Sequence, residues 1–413
     1  MSQRVRGTLT SAHIKTLLAR IGSGVGGTKP ELTQRLHSDL DVPKLQNETK
    51  TSRILSVDMG IRNMAFCVCD VSVKHGGKKP SAKPSVKLDV LAWEPISVSD
   101  LALQEEASSS SDPANLLSSQ ISQQGKESFR PSILSRTAYA LLKRKFLPYA
   151  PQTILIEQQR YRTNASSAIQ EWTYHVNMLE GMIWAILETL KQESSGRLPT
   201  TAAKAQRFPS VFPVSPARVA AFWMDNSELG RAIRDESLGG ATRRASSRSR
   251  SAAAEAEEDA GSGEEDEAGS GARPAKKMSK TKVEKKVKIK LVEQWLLQNA
   301  GDAAATSGSD RDVQLSFGTP EAGGMRDTFL AKLSKPAKGG GRKKKATATT
   351  AALAEAPAPA QAAGHSPPAD PKKLDDLADC LLQAAAWAQW ESNRRAMLGL
   401  DEGALKEVAE RSS

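Results

Sequence analysis

Cysteine, histidine and aromatic side chains are all scarce in this sequence. Its 413 residues hold three Cys, five His and only 5% aromatics. Three cysteines cannot staple a small domain, and Cys67, Cys69 and Cys380 lack the spacing of a Cys-based metal site. Long apolar runs are missing too: none approaches ~18 residues, so nothing is expected to span a membrane. A soluble protein of a reducing compartment fits this composition. Acidic charge is in deficit, with 58 Lys and Arg against 47 Asp and Glu, a net charge of +11. Eight of the acids crowd between Ser251 and Gly269, which leaves +19 on the remainder. So basic a remainder suits a polyanionic partner, nucleic acid first. Residues 226–281 and 300–371 consist mostly of Ala, Ser, Gly, Pro and charge. Such stretches bury too little surface to offset roughly 1–2 kcal/mol of ordering entropy per residue, so both are expected to be disordered insertions.

What remains is organised. Leu9, Ile14, Leu17, Leu18 and Ile21 recur at helical spacing behind Thr10 or Ser11 as N-cap. A Gly-rich turn follows, and Thr28-Lys29-Pro30-Glu31 opens a second helix with Leu32, Leu36 and Leu40 on its apolar face. This pair, within residues 1–43, resembles the SAP module, a small DNA-binding helix pair; Lys15 and Lys29 are its candidate DNA contacts. From residue 52 the pattern becomes strand-like: Ile54 to Asp58, a tight turn at Gly60, Met64 to Cys69, and Val86 to Trp93. A helix over 132–147, a buried strand Thr153 to Glu157, a long helix over 165–192 and an edge strand Val211 to Val214 follow. A basic helix (282–299 as a core-associated element) and a final helix within 372–398 complete the order, before a tail over 399–413. A meander followed by helix-linked strands predicts an α/β fold, a mixed five-stranded sheet flanked by helices, with its first part over 52–225.

Three acidic positions stand at element ends: Asp58, Glu157, and Asp375-Asp376-Leu377-Ala378-Asp379. Each alone has an ordinary explanation as a turn former, a solvated strand end, or charges meeting a helix's positive end. Together they are more specific. If the first and fourth strands are parallel neighbours, Asp58 and Glu157 emerge side by side. On the last helix, with Leu374 at the origin, Asp376 falls at about 200° and Asp379 at about 140°, opposite the apolar face, while Asp375 at about 100° lies at its boundary. Asp376 or Asp375 can therefore pair with Asp379. Two ionised carboxylates ~4 Å apart repel by about 4 kcal/mol at an effective dielectric of 20. Hard divalent cations on oxygen ligands relieve such crowding, and a pair of them drives phosphodiester hydrolysis.

The segments "ILSVDMGIRNMAFCV", "ILIEQQRYRT" and "KKLDDLADCLLQAAAWAQW" resemble the three acidic motifs of the RNase H-like superfamily. Among its members the sequence is most similar to the fungal mitochondrial Holliday-junction resolvases, relatives of RuvC, which carry a SAP-like segment at the N-terminus. The likeness extends through "AIQEWTYHVNMLEGMIWAIL", "VFPVSPARVAAFW" and "KKVKIKLVEQWL". It implies an endonuclease that resolves four-way DNA junctions by paired nicks, with Asp58, Glu157, Asp376 and Asp379 as catalytic residues. These, with Asp375 as the alternative to Asp376, are implied to hold two Mg²⁺ ions (or Mn²⁺). It further implies a homodimer, binding to junction and duplex DNA, and a mitochondrial location. Gln158, Gln159, Arg160 and Arg162, directly after Glu157, and Lys372 and Lys373, before the Asp pair, are candidate DNA contacts. The lysines between Lys276 and Lys290 suit a DNA backbone, with a solvated lysine face as the near alternative. His175 reads as a packing histidine, and Cys67 and Cys69 as core thiols. Two rival functions stay open: a non-catalytic DNA-binding scaffold on the same fold, and a ribonuclease H-type nuclease.

Overall fold

A computed structural model describes residues 9–45, 51–74, 85–101, 129–159, 171–195, 208–226, 230–232, 280–298, 313–334 and 373–411. The insertion expected over 226–281 lies almost wholly outside these residues, as do Arg160, Arg162 and Lys372. Two N-terminal helices, α1 (Ser11–Arg20) and α2 (Lys29–Asp41), precede strands β1 (Ser52–Asp58), β2 (Met64–Lys74) and β3 (Ser85–Ile96). Then come α3 (Pro131–Ala140), β4 (Thr153–Glu157), α4 (Glu171–Ser195), β5 (Ser210–Val214) and α5 (Pro216–Asn226). The chain closes with α6 (Lys280–Gln298), β6 (Val313–Phe317), α7 (Pro320–Ser334), α8 (Leu374–Met397) and α9 (Glu402–Glu410).

The strands form one sheet in the order β5-β4-β1-β2-β3-β6. β2 runs antiparallel to both β1 and β3, whereas β1 with β4, β4 with β5, and β3 with β6 are parallel. Gly60 is required in the β1–β2 turn, since a Cβ there would sit 1.8 Å from the Asn63 carbonyl oxygen. Alternation sorts each strand between two cores. Leu55 and Val57 of β1, with Ile154 and Ile156 of β4, bury against α3 and α4. Ile54 and Leu155 face the opposite layer, where α8 lies with Leu377, Leu381 and Trp390. Two buried indoles tie that layer together: Trp93 Nε1 donates to the Leu377 carbonyl at 2.9 Å and Trp223 Nε1 to that of Leu382 at 3.0 Å. Cys67, Cys69 and Cys380 are free and buried there, as expected of core thiols.

Four expectations need correction. The sheet has six strands, not five, and the stretch 300–371 is not disordered throughout. Val313 and Leu315 of β6 are buried beside β3, Ser316 Oγ donates to Asp89 at 2.6 Å, and Phe329 of α7 packs on Trp93 with ring centroids 5.2 Å apart. Ala- and Lys-rich flanks dilute this β-α unit in a composition average. Its strand is short and draws its stability from pairing with a partner more than two hundred residues away. Nor is 399–413 merely a tail, because α9 is capped by Asp401, whose Oδ1 accepts from Ala404 N at 2.8 Å, and buries Leu405 and Ala409. The helix expected over 132–147 ends as α3 at Ala140 and continues as a π turn, Leu141–Phe146, and a 3-10 turn, Leu147–Tyr149.

The N-terminal helix pair begins as the sequence indicates, with capping boxes at Thr10–His13 and Thr28–Glu31. It is fixed to the far end of α8. Gly22, with a φ of +71°, sits against Trp390 where any Cβ would overlap the ring. Asn393 Nδ2 donates to the Arg20 carbonyl at 2.8 Å, and Arg394 Nη1 to that of Leu40 at 2.6 Å. Glu391, fully buried, accepts from Lys44 N at 3.0 Å, from Arg394 at 2.7 and 3.0 Å, and from Arg395 Nε at 2.6 Å. Burial works to raise the Glu391 pKa, yet these donors hold it below its ordinary value. Removing one member of such a buried network leaves the others uncompensated, at about 3–5 kcal/mol. Glu391→Ala is therefore expected to lower the melting temperature by several degrees and to expose residues 9–45 to limited proteolysis before the sheet; an unchanged cleavage pattern contradicts this account.

Candidate active site

The parity that sorts apolar residues also places the acids. Asp58 shares the face of Ile54 and Ser56, and Glu157 that of Leu155, so both point toward α8. The parallel register Val57↔Ile156 makes Asp58 and Glu157 neighbours at the ends of adjacent strands. From the other side, α8 presents Asp379 and, one turn later, Gln383. The Gln383 amide donates to Ser56 Oγ at 3.0 Å and reaches the carbonyls of Val57 at 3.3 Å and Leu155 at 3.4 Å. One side chain thus staples α8 across both acid-bearing strands. Asp58, Glu157, Asp379, Gln383 and Lys288 of α6 surround a single pocket, with Pro216 and Val219 of α5 at its wall.

Crowding is written into the protonation of the site. Asp58, buried, has a pKa well above the ordinary carboxylate value, because of burial, a hydrogen bond with Glu157, and the nearby negative charges of Glu157, Asp379 and Asp376. Asp376 is pushed up to about 6 by burial and the charge of Asp375. Asp379 also reaches about 6, with burial outweighing the counter-effect of Lys288. Asp375 differs: burial works to raise it, but Lys285 Nζ at 2.7 Å holds it below its usual value. Lys288 Nζ lies 3.1 Å from Asp379 Oδ1 and 3.5 Å from Glu284 Oε1, and its side chain is only 12% exposed.

Of the predicted site residues, Asp58, Glu157 and Asp379 line one pocket. Asp376 joins through its field on Asp58, and Asp375 turns to α6. Lys373 stands exposed at the N-cap of α8, where its charge works to lower both Asp375 and Asp376. Gln158 N donates to the Val214 carbonyl at 2.8 Å with its side chain exposed, and Gln159 N donates to Glu180 of α4 at 3.2 Å. Lys15 and Lys29 are exposed on α1 and α2, distant in the chain from the pocket and on the module at the other end of α8. His175 packs beside Phe129, ring centroids 4.9 Å apart, as a packing histidine does. Lys285 and Lys288 figured in the sequence only as DNA-backbone or solvated lysines of the basic helix, and Gln383 was not singled out. Gln383 continues the Asp376–Asp379 stripe at i+4, a signal that was present. The two lysines are indistinguishable in sequence from their neighbours on α6.

The donor set is all carboxylate oxygen and suits hard divalent ions. Among the described residues no three His, Cys, Asp or Glu side chains close on a single point; Asp379 and Asp375 are instead engaged by lysines. The mutual repulsion of the acids nonetheless marks the pocket as one that favours added positive charge.

A sheet whose first five strands run 3-2-1-4-5 with the second reversed, crossed by a terminal acidic helix, is the RNase H-like arrangement. The family described as mitochondrial resolvase Ydc2 / RNA splicing MRS1 matches residues 54–397, a span that includes β6, α7 and every acid of the pocket. The chain belongs to that family. It is 26% identical over 216 residues, 52% of this chain and 67% of the relative, to the mitochondrial cruciform cutting endonuclease 1 of Schizosaccharomyces pombe (strain 972 / ATCC 24843). Superposition on the crystal structure of the yeast mitochondrial Holliday junction resolvase Ydc2 covers 97% of this chain and 98% of that one, at 17% identity and a TM-score of 0.44. For Thermus thermophilus RuvC the coverage is 45% and 75%, the identity 16% and the TM-score 0.22.

If the acids repel one another in the folded protein, neutralising one without changing its shape relieves strain. Above the raised pKa of Asp58, where the wild-type group is ionised, Asp58→Asn in EDTA is expected to melt higher than wild type, and the gain is expected to vanish as the pH falls below that pKa. A lower melting temperature in scanning calorimetry means that Asp58 is structural.

Proposed function

We propose that the protein is a metal-dependent endonuclease that resolves four-way DNA junctions in mitochondria by paired nicks. The observation that carries this reading is the convergence of Asp58, Glu157 and Asp379, from three distant segments, on one pocket of a chain in the resolvase family. Membership of a family whose description pairs a resolvase with an RNA-splicing protein leaves a non-catalytic role as the competing reading. The complete carboxylate set favours catalysis, since a purely structural pocket gains nothing from acids that repel.

In this reading Asp58, Glu157, Asp379 and Asp376 hold two Mg²⁺ or Mn²⁺ ions. Asp376 is preferred to Asp375 because it acts on Asp58 whereas Asp375 is committed to Lys285. When bound, the ions supply an activated water and stabilise the leaving oxygen of an in-line displacement. Asp58, central between Glu157 and the α8 acids, is the natural shared ligand. Gln383 holds the α8 acids at a fixed height over β1 and β4, so the donor set is positioned by rigid elements rather than loops. Gln158, next to Glu157, and Lys373, at the N-cap of α8, are exposed and would contact the DNA backbone. Each nick leaves a 5′-phosphate and a 3′-hydroxyl. Two paired nicks call for a homodimer whose two-fold axis matches that of the junction. Lys15 and Lys29, on a module fixed at the opposite end of α8, add contacts to the phosphate backbone of a duplex arm.

Purified wild-type protein in Mg²⁺ is expected to cut a labelled immobile junction and to leave linear duplex intact. Asp58→Asn and Glu157→Gln are each expected to slow cutting by at least about 100-fold while junction binding by gel shift persists. A wild-type protein that binds junctions without cutting them establishes the non-catalytic reading, and preference for RNA–DNA hybrid duplexes establishes the ribonuclease.

A further inference from the structure

Helix α6 is amphipathic in an unusual sense. Val287, Leu291, Val292 and Leu296 seat it in the protein, with Val283 and Val287 also contacting Met224 of α5. Lys285 and Lys288, three residues apart, leave that apolar face to reach Asp375 and Asp379 of α8, four residues apart. The two contacts differ in character. Lys285 is 55% exposed and its pair belongs to the surface, whereas Lys288 is 12% exposed and lines the pocket itself. Burying an ammonium this far is unfavourable unless the surrounding negative charge exceeds what its own partner supplies. Here it does. Asp379 and Glu284 both lie against its ammonium, and Asp58 and Glu157 line the same pocket.

We propose that Lys288 is a built-in counter-cation of the acidic pocket, competing with divalent ions for Asp379 and so setting the affinity with which the site takes them up. This deepens the function proposed above and rests on it. A lysine within 3.1 Å of an oxygen that an ion must also coordinate opposes loading twice, by occupying the ligand and by repelling the incoming charge. Were an ion to take Asp379, Glu284 would remain as a partner for the Lys288 ammonium. Lys288 is thus a positioning residue whose effect is read in ion affinity before it is read in cleavage.

Isothermal titration of the full-length chain with Mn²⁺ at fixed pH tests this, with no nucleic acid present. Lys288→Met is expected to bind Mn²⁺ about three- to tenfold more tightly than wild type, while Lys288→Arg and the exposed-site control Lys290→Met bind like wild type. Acetylation of Lys288, followed by mass spectrometry, is expected to be slow in EDTA and several-fold faster with Mn²⁺; this measurement needs no variant and stands if Lys288→Met fails to fold. Equal Mn²⁺ affinity in wild type and Lys288→Met, or labelling of Lys288 indifferent to Mn²⁺, overturns the counter-cation while leaving the metal site intact. A wild-type protein that takes up no Mn²⁺ at all overturns both this inference and the nuclease reading.

Discussion

The placement of α8 is the constraint on which the rest of the molecule depends. It crosses β1, β2 and β3 on the face opposite α3 and α4, with its N-terminal turn over the ends of β1 and β4 and its C-terminal half under the N-terminal helix pair. At 24 residues it is about 36 Å long. Its middle is a run of alanines, which lets the helix lie close on the sheet, and the indoles of Trp93 and Trp223, each donating to one of its carbonyls, oppose its rotation. Any rotation about its axis would move Asp379 out of the pocket and Glu391 out of the anchor for Lys44, Arg394 and Arg395 at the same time. The pocket and the N-terminal module are therefore held at the two ends of one helix.

Electrostatics at the two ends of α8 are opposite solutions to burying charge. At the C-terminal end Glu391 is surrounded by donors and its negative charge is stabilised, so the network adds rigidity. At the N-terminal end Asp58, Asp376 and Asp379 all sit above their ordinary pKa, and the helix's positive end compensates only in part. The first arrangement is how a protein holds itself together. The second weakens the fold locally, and proteins keep such arrangements where a function draws on them.

How much of this was legible in the sequence follows from the range of the signals. Helix caps such as Thr10 and Thr28, the period-two runs of β1 and β2, and the placing of Pro213 on an edge strand are local, and local chemistry spells them out. The acids were legible because three element ends carrying carboxylates make sense together only in one topology. Val313 to Phe329 was missed for the opposite reason. Its apolar residues are few, its neighbours are low-complexity, and its stability comes from β3 and Trp93, which no local window contains. The same holds for α9, whose apolar face is complete only against Leu9 and Met397. Lys288 was invisible in another way: it is one lysine among many on α6, and only the third dimension tells which of them turns inward.

That last distinction bears on the rivalry between a nuclease and a scaffold. A scaffold needs the sheet, the indole anchors and the basic exterior, and all of these survive if the pocket is neutral. The pocket instead concentrates acids whose repulsion any single Asp→Asn or Glu→Gln change would ease, and it recruits Lys288 to temper them without abolishing their charge. Partial neutralisation keeps the acids folded into position while leaving them a net demand for cations. A structural pocket has no use for that residual demand, whereas a site that binds and uses divalent ions depends on it.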